Sequence, residues 1–231
     1  MNPSALNIIS SMATKKLLGE LTALYEQQNP GTSIKLESVG GVDAAKRVQA
    51  GEAFDAVVLA SDAIDKLIAS GHALAGSRAD LVRSGVAIAV KAGAQAPDIS
   101  SEAAVKQAVL AAPTLGYSTG PSGVQLAALF ERWGISEQVK GKLVVPPPGV
   151  PVGSLIASGE VTLGFQQLSE LMHLPGIDVL GPLPEAIQIA TVFSGGVAAA
   201  SAQPDAVRQL LAFMASASVA QLKRENGMEP I

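Results

Sequence analysis

The sequence contains no cysteine, and this absence excludes disulfide bonds, thiol nucleophiles and thiolate metal sites. Aromatic residues are scarce as well, since they make up 3% of the 231 residues and include one tryptophan. Binding sites for sugars and flat organic rings usually stack the ligand on aromatic faces, so ligands of these classes are disfavoured. The composition fits better with a small polar or anionic ligand held by amides and hydroxyls.

Excess basic charge and long apolar segments are also missing. The formal net charge of -4 and the lack of a basic stripe with interleaved aromatics argue against nucleic acid as a partner. No apolar run approaches the ~20 residues that span a membrane. Residues 1–5 lack a basic region followed by an apolar core, so no secretory signal is recognised. The location stays open: periplasmic if a leader was removed, and cytoplasmic otherwise.

The chain carries no nucleophile elbow, Walker loop or Rossmann fingerprint. Its two histidines, His72 and His173, are far apart in sequence and each lies beside a predicted loop. We therefore expect no cofactor and no metal site. The sequence alone identifies no catalytic residue.

Apolar strand patterns alternate with amphipathic helix patterns along the whole chain. Strands are predicted at 6–10, 33–38, 56–60, 85–90, 115–118, 144–145, 161–166, 178–181 and 195–201, and a closing helix at 205–226. Strands separated by helices predict an α/β fold with a sheet rich in parallel pairs. In such sheets ligands bind at the carboxyl ends of the strands.

The first strand runs into Ser10 and Ser11, and a helix pattern begins at once. Either serine can cap this helix, and the free N–H groups of the first turn attract an anion. Two lysines, Lys15 and Lys16, oppose the helix dipole there, which favours a bound anion. We take Ser10, Ser11 and Lys15 as candidate ligand contacts.

Later loops repeat this design of strand, hydroxyl or glycine loop, and helix. Ser38 precedes Gly40 and Gly41, which form either a plain tight turn or a backbone nest for an oxyanion. A third loop contains Ser118 and Ser122 on either side of a Gly-Pro pair. At the end of another strand, Gln166 and Gln167 alternate in direction, so one of them is expected to offer its amide to a carboxylate or carbonyl oxygen.

Seven segments along the chain resemble, in order, the type II periplasmic binding fold and specifically the molybdate-binding branch of ABC-transporter receptors. They are SSMATK at 10–15, SVGG at 38–41, GEAFDAV at 51–57, LVRSGVAIAV at 81–90, STGPSG at 118–123, GE with LGF at 159–165, and NGMEP at 226–230. The resemblance implies two α/β lobes around a ligand cleft, joined by two crossing strands. It places lobe one at 1–82 plus 195–231 and lobe two at 83–194.

In the molybdate branch, hydroxyls and backbone N–H groups on four loops hold the oxyanion. By motif position these contacts fall near Ser10, Ser11, Ser38, Ser122 and Val152. The tyrosine that completes the branch's site is replaced by the segment Phe165-Gln166-Gln167, and Met12 stands where a small residue is usual. These departures argue against molybdate itself and leave the anion site intact.

Two functions follow from the resemblance. The first is a monomeric binding protein for a small oxyanion or carboxylate, with an ABC-transporter membrane subunit as partner if the protein is exported. The second is an isomerase, because bacterial aconitate isomerases resemble these receptors and interconvert trans- and cis-aconitate by allylic proton transfer. Lys15, Arg83 and Gln166 are candidate clamps for its carboxylates. Arg83, near the predicted crossing, forms either a carboxylate fork or an interlobe salt bridge.

Overall fold

The computed structural model describes residues 5–146 and 150–231. These residues form two compact units, one made of the described residues up to Arg83 together with Val192–Ile231, and the other of Ser84–Thr191. The chain therefore passes twice from one unit to the other. No helix among the described residues combines the length and the apolar composition that crossing a membrane requires.

Strands and helices alternate through most of the described residues. The strands, numbered along the chain, are β1 (Leu6–Ser11), β2 (Ile34–Val39), β3 (Ala56–Ala60), β4 (Ala79–Lys91), β5 (Leu115–Tyr117), β6 (Leu143–Val144), β7 (Leu163–Gln167), β8 (Ile177–Pro182), β9 (Ala190–Val197) and β10 (Glu229–Pro230). The α-helices are α1 (Lys15–Gln28), α2 (Gly41–Gln49), α3 (Ser61–Ala69), α4 (Glu102–Ala111), α5 (Pro121–Arg132), α6 (Ser136–Val139), α7 (Val152–Ser158), α8 (Leu168–Leu171), α9 (Pro204–Ala215) and α10 (Ala220–Glu225). The α/β class predicted from the sequence is confirmed.

In the first unit the strand order is β2-β1-β3-β9, and the first three strands are parallel while β9 runs antiparallel to β3. Consecutive strand residues point to opposite faces of a sheet. Ile8 thus packs in a cluster with residues of α1 and α9, whereas Ile9 packs with α2 and α3. Because helices cover both faces, β3 is apolar at all five positions and fully buried.

The second unit repeats this architecture around β5, β6 and β7, which are parallel to one another. The second half of β4 pairs antiparallel with both β7 and β8. Ile88 on β4 joins a core cluster with α4 and α5, and its neighbour Ala87 joins one with α7. Alternation along the strand again builds two cores, one on each side of the sheet.

Three sequence-based predictions of local structure are wrong. The predicted cap by Ser10 or Ser11 does not form in the described residues, because Met12–Thr14 adopts a 3₁₀ turn and α1 begins only at Lys15. The predicted single closing helix at 205–226 is interrupted at Ser216, whose extended backbone (φ -68°, ψ 157°) separates α9 from a short 3₁₀ turn and α10. The strand predicted at 195–201 also lies earlier in the chain, as β9 at Ala190–Val197.

The glycine at the start of α5 lets the helix approach the preceding strand. A Cβ atom at Gly123 would lie 1.6 Å from the Ser118 carbonyl oxygen, so any side chain would move the helix away from the strand end. Gly19, in α1, has open space at the same position, with nothing within 4 Å. A side chain would therefore clash at Gly123, whereas the position of Gly19 has room for one.

We expect Gly123→Ala to lower the free energy of unfolding by about 3 kcal/mol, since overpacking against backbone is not easily relieved. Gly19→Ala is the matched control and should raise it by about 0.5–1 kcal/mol through better helix propensity. Thermal unfolding checks both, with roughly 2–4 °C expected per kcal/mol for a chain of this size. Equal effects of the two substitutions would contradict the close approach at α5.

Candidate ligand-binding site

In the first unit, polar groups collect where β1 and β2 end. Parallel pairing places Ser10 directly opposite Ser38, and their hydroxyl oxygens are 2.8 Å apart. Ser11 follows Ser10 and is buried, and its hydroxyl has no hydrogen-bond partner among the described residues. A buried hydroxyl without a partner costs free energy, so this group is suited to bind a ligand oxygen.

The helices that follow these strands begin at the same edge. α2 begins directly after Gly40, and a Cβ atom at Gly41 would lie 3.7 Å from the Ser11 Cβ. Ser10, Ser11, Ser38 and Gly40 are thus neighbours where β1 and β2 end. The first-turn N–H groups of such a helix favour an anion.

The two candidate cations of the first unit are both exposed. Lys15 is the first residue of α1. Arg83 is the last residue of the unit's first segment, and on β4 it lies opposite Glu229 of β10. Neither side chain makes an ion pair with the described residues of its own unit. Both therefore keep their charge available to a ligand carboxylate.

In the second unit, the carboxyl ends of β5, β6 and β7 form the corresponding edge. Ser118 follows β5, Ser122 lies in the first turn of α5, and their hydroxyl oxygens are 3.1 Å apart. Val152 begins α7, and its side chain is buried in an apolar cluster. Only the backbone N–H of Val152 is therefore suited to contact a ligand.

Gln166 connects two elements at this edge. Its side-chain oxygen accepts a hydrogen bond from the Gly153 N–H at 3.3 Å, at the amino end of α7. Its side-chain nitrogen donates to the Glu170 carboxylate at 2.8 Å. Gln166 is buried, so both ends of its amide are held by protein groups.

Gln167 points in the opposite direction, as strand alternation requires. Its amide lies 3.0 Å from the Thr191 hydroxyl. With the amide oxygen facing Thr191, the nitrogen donates to the Ser84 hydroxyl at 2.9 Å, which satisfies all three groups. Both glutamines of the candidate set are thus engaged with neighbouring protein groups, and their proposed contact with a ligand stays a prediction.

Glu170 was absent from the candidate set, although the structure places it at the same edge. It lies in α8, directly after β7, and is half-buried. Burial raises the pKa of Glu170 to about 7, and the hydrogen bond from Gln166 offsets part of this rise. The available signal was its spacing of four residues from Gln166 across a strand-to-helix junction. Within the described residues, no cluster of three or more histidine, aspartate or glutamate side chains is arranged to hold a metal ion.

Two α/β units that each carry a sheet between helices, with the chain passing twice from one to the other, define the class of periplasmic solute-binding folds. Solved structures confirm this class. The Azotobacter vinelandii periplasmic molybdate-binding protein aligns with a TM-score of 0.80 at 17% identity, covering 96% of this chain and 98% of that one. The sulfate-binding protein SubI from Mycobacterium tuberculosis H37Rv aligns with a TM-score of 0.81 at 14% identity, covering 99% and 88%. At these identities the likeness concerns the fold.

The chain belongs to the family of bacterial extracellular solute-binding proteins, whose model matches residues 6–229. It is also 37% identical over 236 aligned residues to the aconitate isomerase of a Pseudomonas species. That alignment covers 99% of this chain and 88% of the relative. The resemblance described from the sequence segments is therefore confirmed at the level of family and fold.

The raised pKa of Glu170 predicts a pH-dependent stability. The folded state holds this proton more tightly than the unfolded state, so the contribution of Glu170 is complete below a pH of about 4.5 and is lost as the pH rises to about 7. Glu170→Gln cannot lose that proton. Relative to the wild type, its free energy of unfolding should therefore increase across this interval by about 1–3 kcal/mol and then level off.

Chemical denaturation of both proteins at a series of pH values measures this difference. Glu160→Gln is the matched control, because Glu160 is an exposed glutamate of the same unit. A constant difference between Glu170→Gln and wild type across the whole series would contradict the raised pKa.

Proposed function

We propose that this protein binds a small polycarboxylate and interconverts trans- and cis-aconitate by moving a proton across an allylic system. The observation that carries the proposal is the 37% identity to an aconitate isomerase over 99% of the chain. A match of this extent leaves no separate domain of the chain outside the comparison. The scarcity of aromatic residues supports it as well, because carboxylates need donors and cations rather than ring faces.

Donors suited to several carboxylates are present at the strand ends of both units. In the first unit they are the hydroxyls of Ser10, Ser11 and Ser38, together with the exposed cation Lys15. In the second unit the Ser118–Ser122 pair offers hydroxyls. A hydrogen bond from such a group to a charged carboxylate contributes about 1.5–3 kcal/mol, so each of these donors is suited to bind a carboxylate.

The reaction is a proton shift with no net change in composition. A proton leaves the methylene carbon of aconitate, and the electron pair spreads over three carbons and the attached carboxylates. A proton then adds at the other terminal carbon, and the double bond has moved by one position. Groups that fix the carboxylates hold the allylic carbons in line with the proton-transferring group, which lowers the entropic barrier.

A second candidate function is reversible binding of a small anion for transport. The paired hydroxyls at both strand-end edges favour it, because an oxyanion receptor needs such donors and no proton-transferring group. The membrane subunit of an ABC transporter would then be the partner. This function and the isomerase differ in ligand preference and in turnover.

Ligand binding and turnover can be measured on one sample. We expect trans- and cis-aconitate at about 100 times their Kd to add about 2.7 kcal/mol of stability, and so to raise the Tm by roughly 5–10 °C. Molybdate, tungstate, sulfate and phosphate in the same excess serve as comparison ligands. Proton NMR of the aconitate sample then follows conversion of one isomer to the other. A shift with molybdate and tungstate alone would exclude the isomerase.

The serine hydroxyls should contribute to affinity for the polycarboxylate. Removing one charge-assisted hydrogen bond, in Ser118→Ala, is expected to weaken aconitate binding about tenfold, measured by calorimetry. Ser100→Ala is the control, since Ser100 is exposed and precedes α4, away from the strand-end edge. Equal affinities of the two variants would remove Ser118 from the site.

A further inference from the structure

Among the described residues, the carboxyl group of Glu170 accepts a hydrogen bond from one side chain, Gln166. The Gln166 amide donates to it at 2.8 Å, and the oxygen of the same amide is fixed by the Gly153 N–H at 3.3 Å. The buried Gln166 therefore cannot rotate without losing both contacts. This arrangement orients one carboxylate oxygen, and within residues 5–146 and 150–231 the other oxygen accepts no hydrogen bond.

The surroundings of Glu170 contain little compensating charge. α8 contacts β7 and β8, and β7, like the nearby α7, has no charged residue. Asp178 on β8 accepts a hydrogen bond from the Gly93 N–H, and His173 follows two residues after α8. Burial accordingly raises the pKa of Glu170 to about 7.

Other acidic residues with shifted pKa values have the opposite character. Arginine partners lower the pKa of Glu37, Glu52 and Asp80, so these groups stay ionised and poorly basic. A carboxyl group that is readily protonated and deprotonated near neutral pH is what proton transfer to and from carbon requires. Among the described residues at the carboxyl ends of the strands, Glu170 is the one carboxyl group of this kind.

We propose that Glu170 is the catalytic residue that removes and returns the substrate proton, and that Gln166 is the positioning residue that holds its carboxyl group. This inference rests on the proposed function and adds the group that the sequence did not identify. The Glu170 carboxylate accepts a proton from the methylene carbon of aconitate. The resulting carboxylic acid donates a proton to the far end of the allylic system, which restores the carboxylate. No oxidant, reductant or second substrate is consumed.

The test compares Glu170→Gln with Glu160→Gln, an exposed glutamate that is unrelated to the strand-end edge. We expect Glu170→Gln to lower kcat by about 10²- to 10⁴-fold. Its Kd for trans-aconitate, from calorimetry, should stay within about threefold of the wild type, because the carboxylate clamps are intact. Exchange of the substrate's methylene hydrogens in D₂O, followed by NMR, should fall in parallel with turnover. Glu160→Gln should match the wild type in all three measurements.

Two results would overturn the assignment. One is turnover by Glu170→Gln within about tenfold of the wild type, which is less than the usual contribution of a general base. The other is loss of aconitate binding together with turnover, which would make Glu170 a binding group. A wild-type protein that neither binds nor converts aconitate would instead overturn the proposed function, so the two failures are distinguishable.

A pH profile keeps the assignment testable if Glu170→Gln does not fold. Wild-type kcat/KM should rise with pH through a pKa of about 7, because the base acts as the carboxylate. Gln166→Met removes the hydrogen bond that favours the carboxylate and should move this rise to higher pH by up to about one unit. A merely structural role of Gln166 would lower kcat equally at every pH. A flat wild-type profile across roughly pH 5 to 8 would overturn the role of Glu170.

Discussion

In each unit, parallel strands end along a common edge and are followed directly by helices. This alignment results from backbone pairing. The β1–β2 register places Ser10 beside Ser38 independently of side-chain contacts. In the second unit, the pairing of β5 with β7 brings the segment after Tyr117 beside the segment after Gln167 in the same way. Hydroxyls, amides and a carboxyl group that are distant in sequence thus become neighbours. The chemistry of both edges depends on this pairing.

Acidic residues with shifted pKa values occur in two contrasting electrostatic environments. On the surface, Arg47 pairs with both Glu37 and Glu52, which keeps these carboxylates charged. Glu170 accepts its hydrogen bond from the neutral amide of Gln166, and it is half-buried among elements that carry few charges. A neutral donor orients a carboxyl group without fixing its ionisation state, whereas an arginine fixes both. The distinction separates groups that stabilise the fold from a group suited to exchange a proton.

Sequence patterns predicted the α/β class, most strand positions and the family resemblance, because hydrophobic periodicity and motif order survive without knowledge of tertiary contacts. These patterns failed where tertiary contacts determine the local backbone conformation. The 3₁₀ turn at Met12–Thr14 replaces the expected serine cap, and Ser216 interrupts a helix whose apolar periodicity continues beyond it. The pKa of Glu170 depends on its burial and on the hydrogen bond from Gln166, and a single sequence reveals neither. The ligand contacts assigned to all the candidate residues remain predictions.

Because β4 and β9 pass from one unit to the other, the two units are completed at different points of translation. The second unit is one continuous segment, Ser84–Thr191, whose contacts are complete once that segment has left the ribosome. The first unit is discontinuous, because β3 pairs with β9 through partners such as Ala56 and Val197. The sheet of β1, β2 and β3 is therefore complete only after more than half of the chain, up to β9, has been synthesised. A stall in translation within the second unit would leave the edge of β3 open to pairing with other chains.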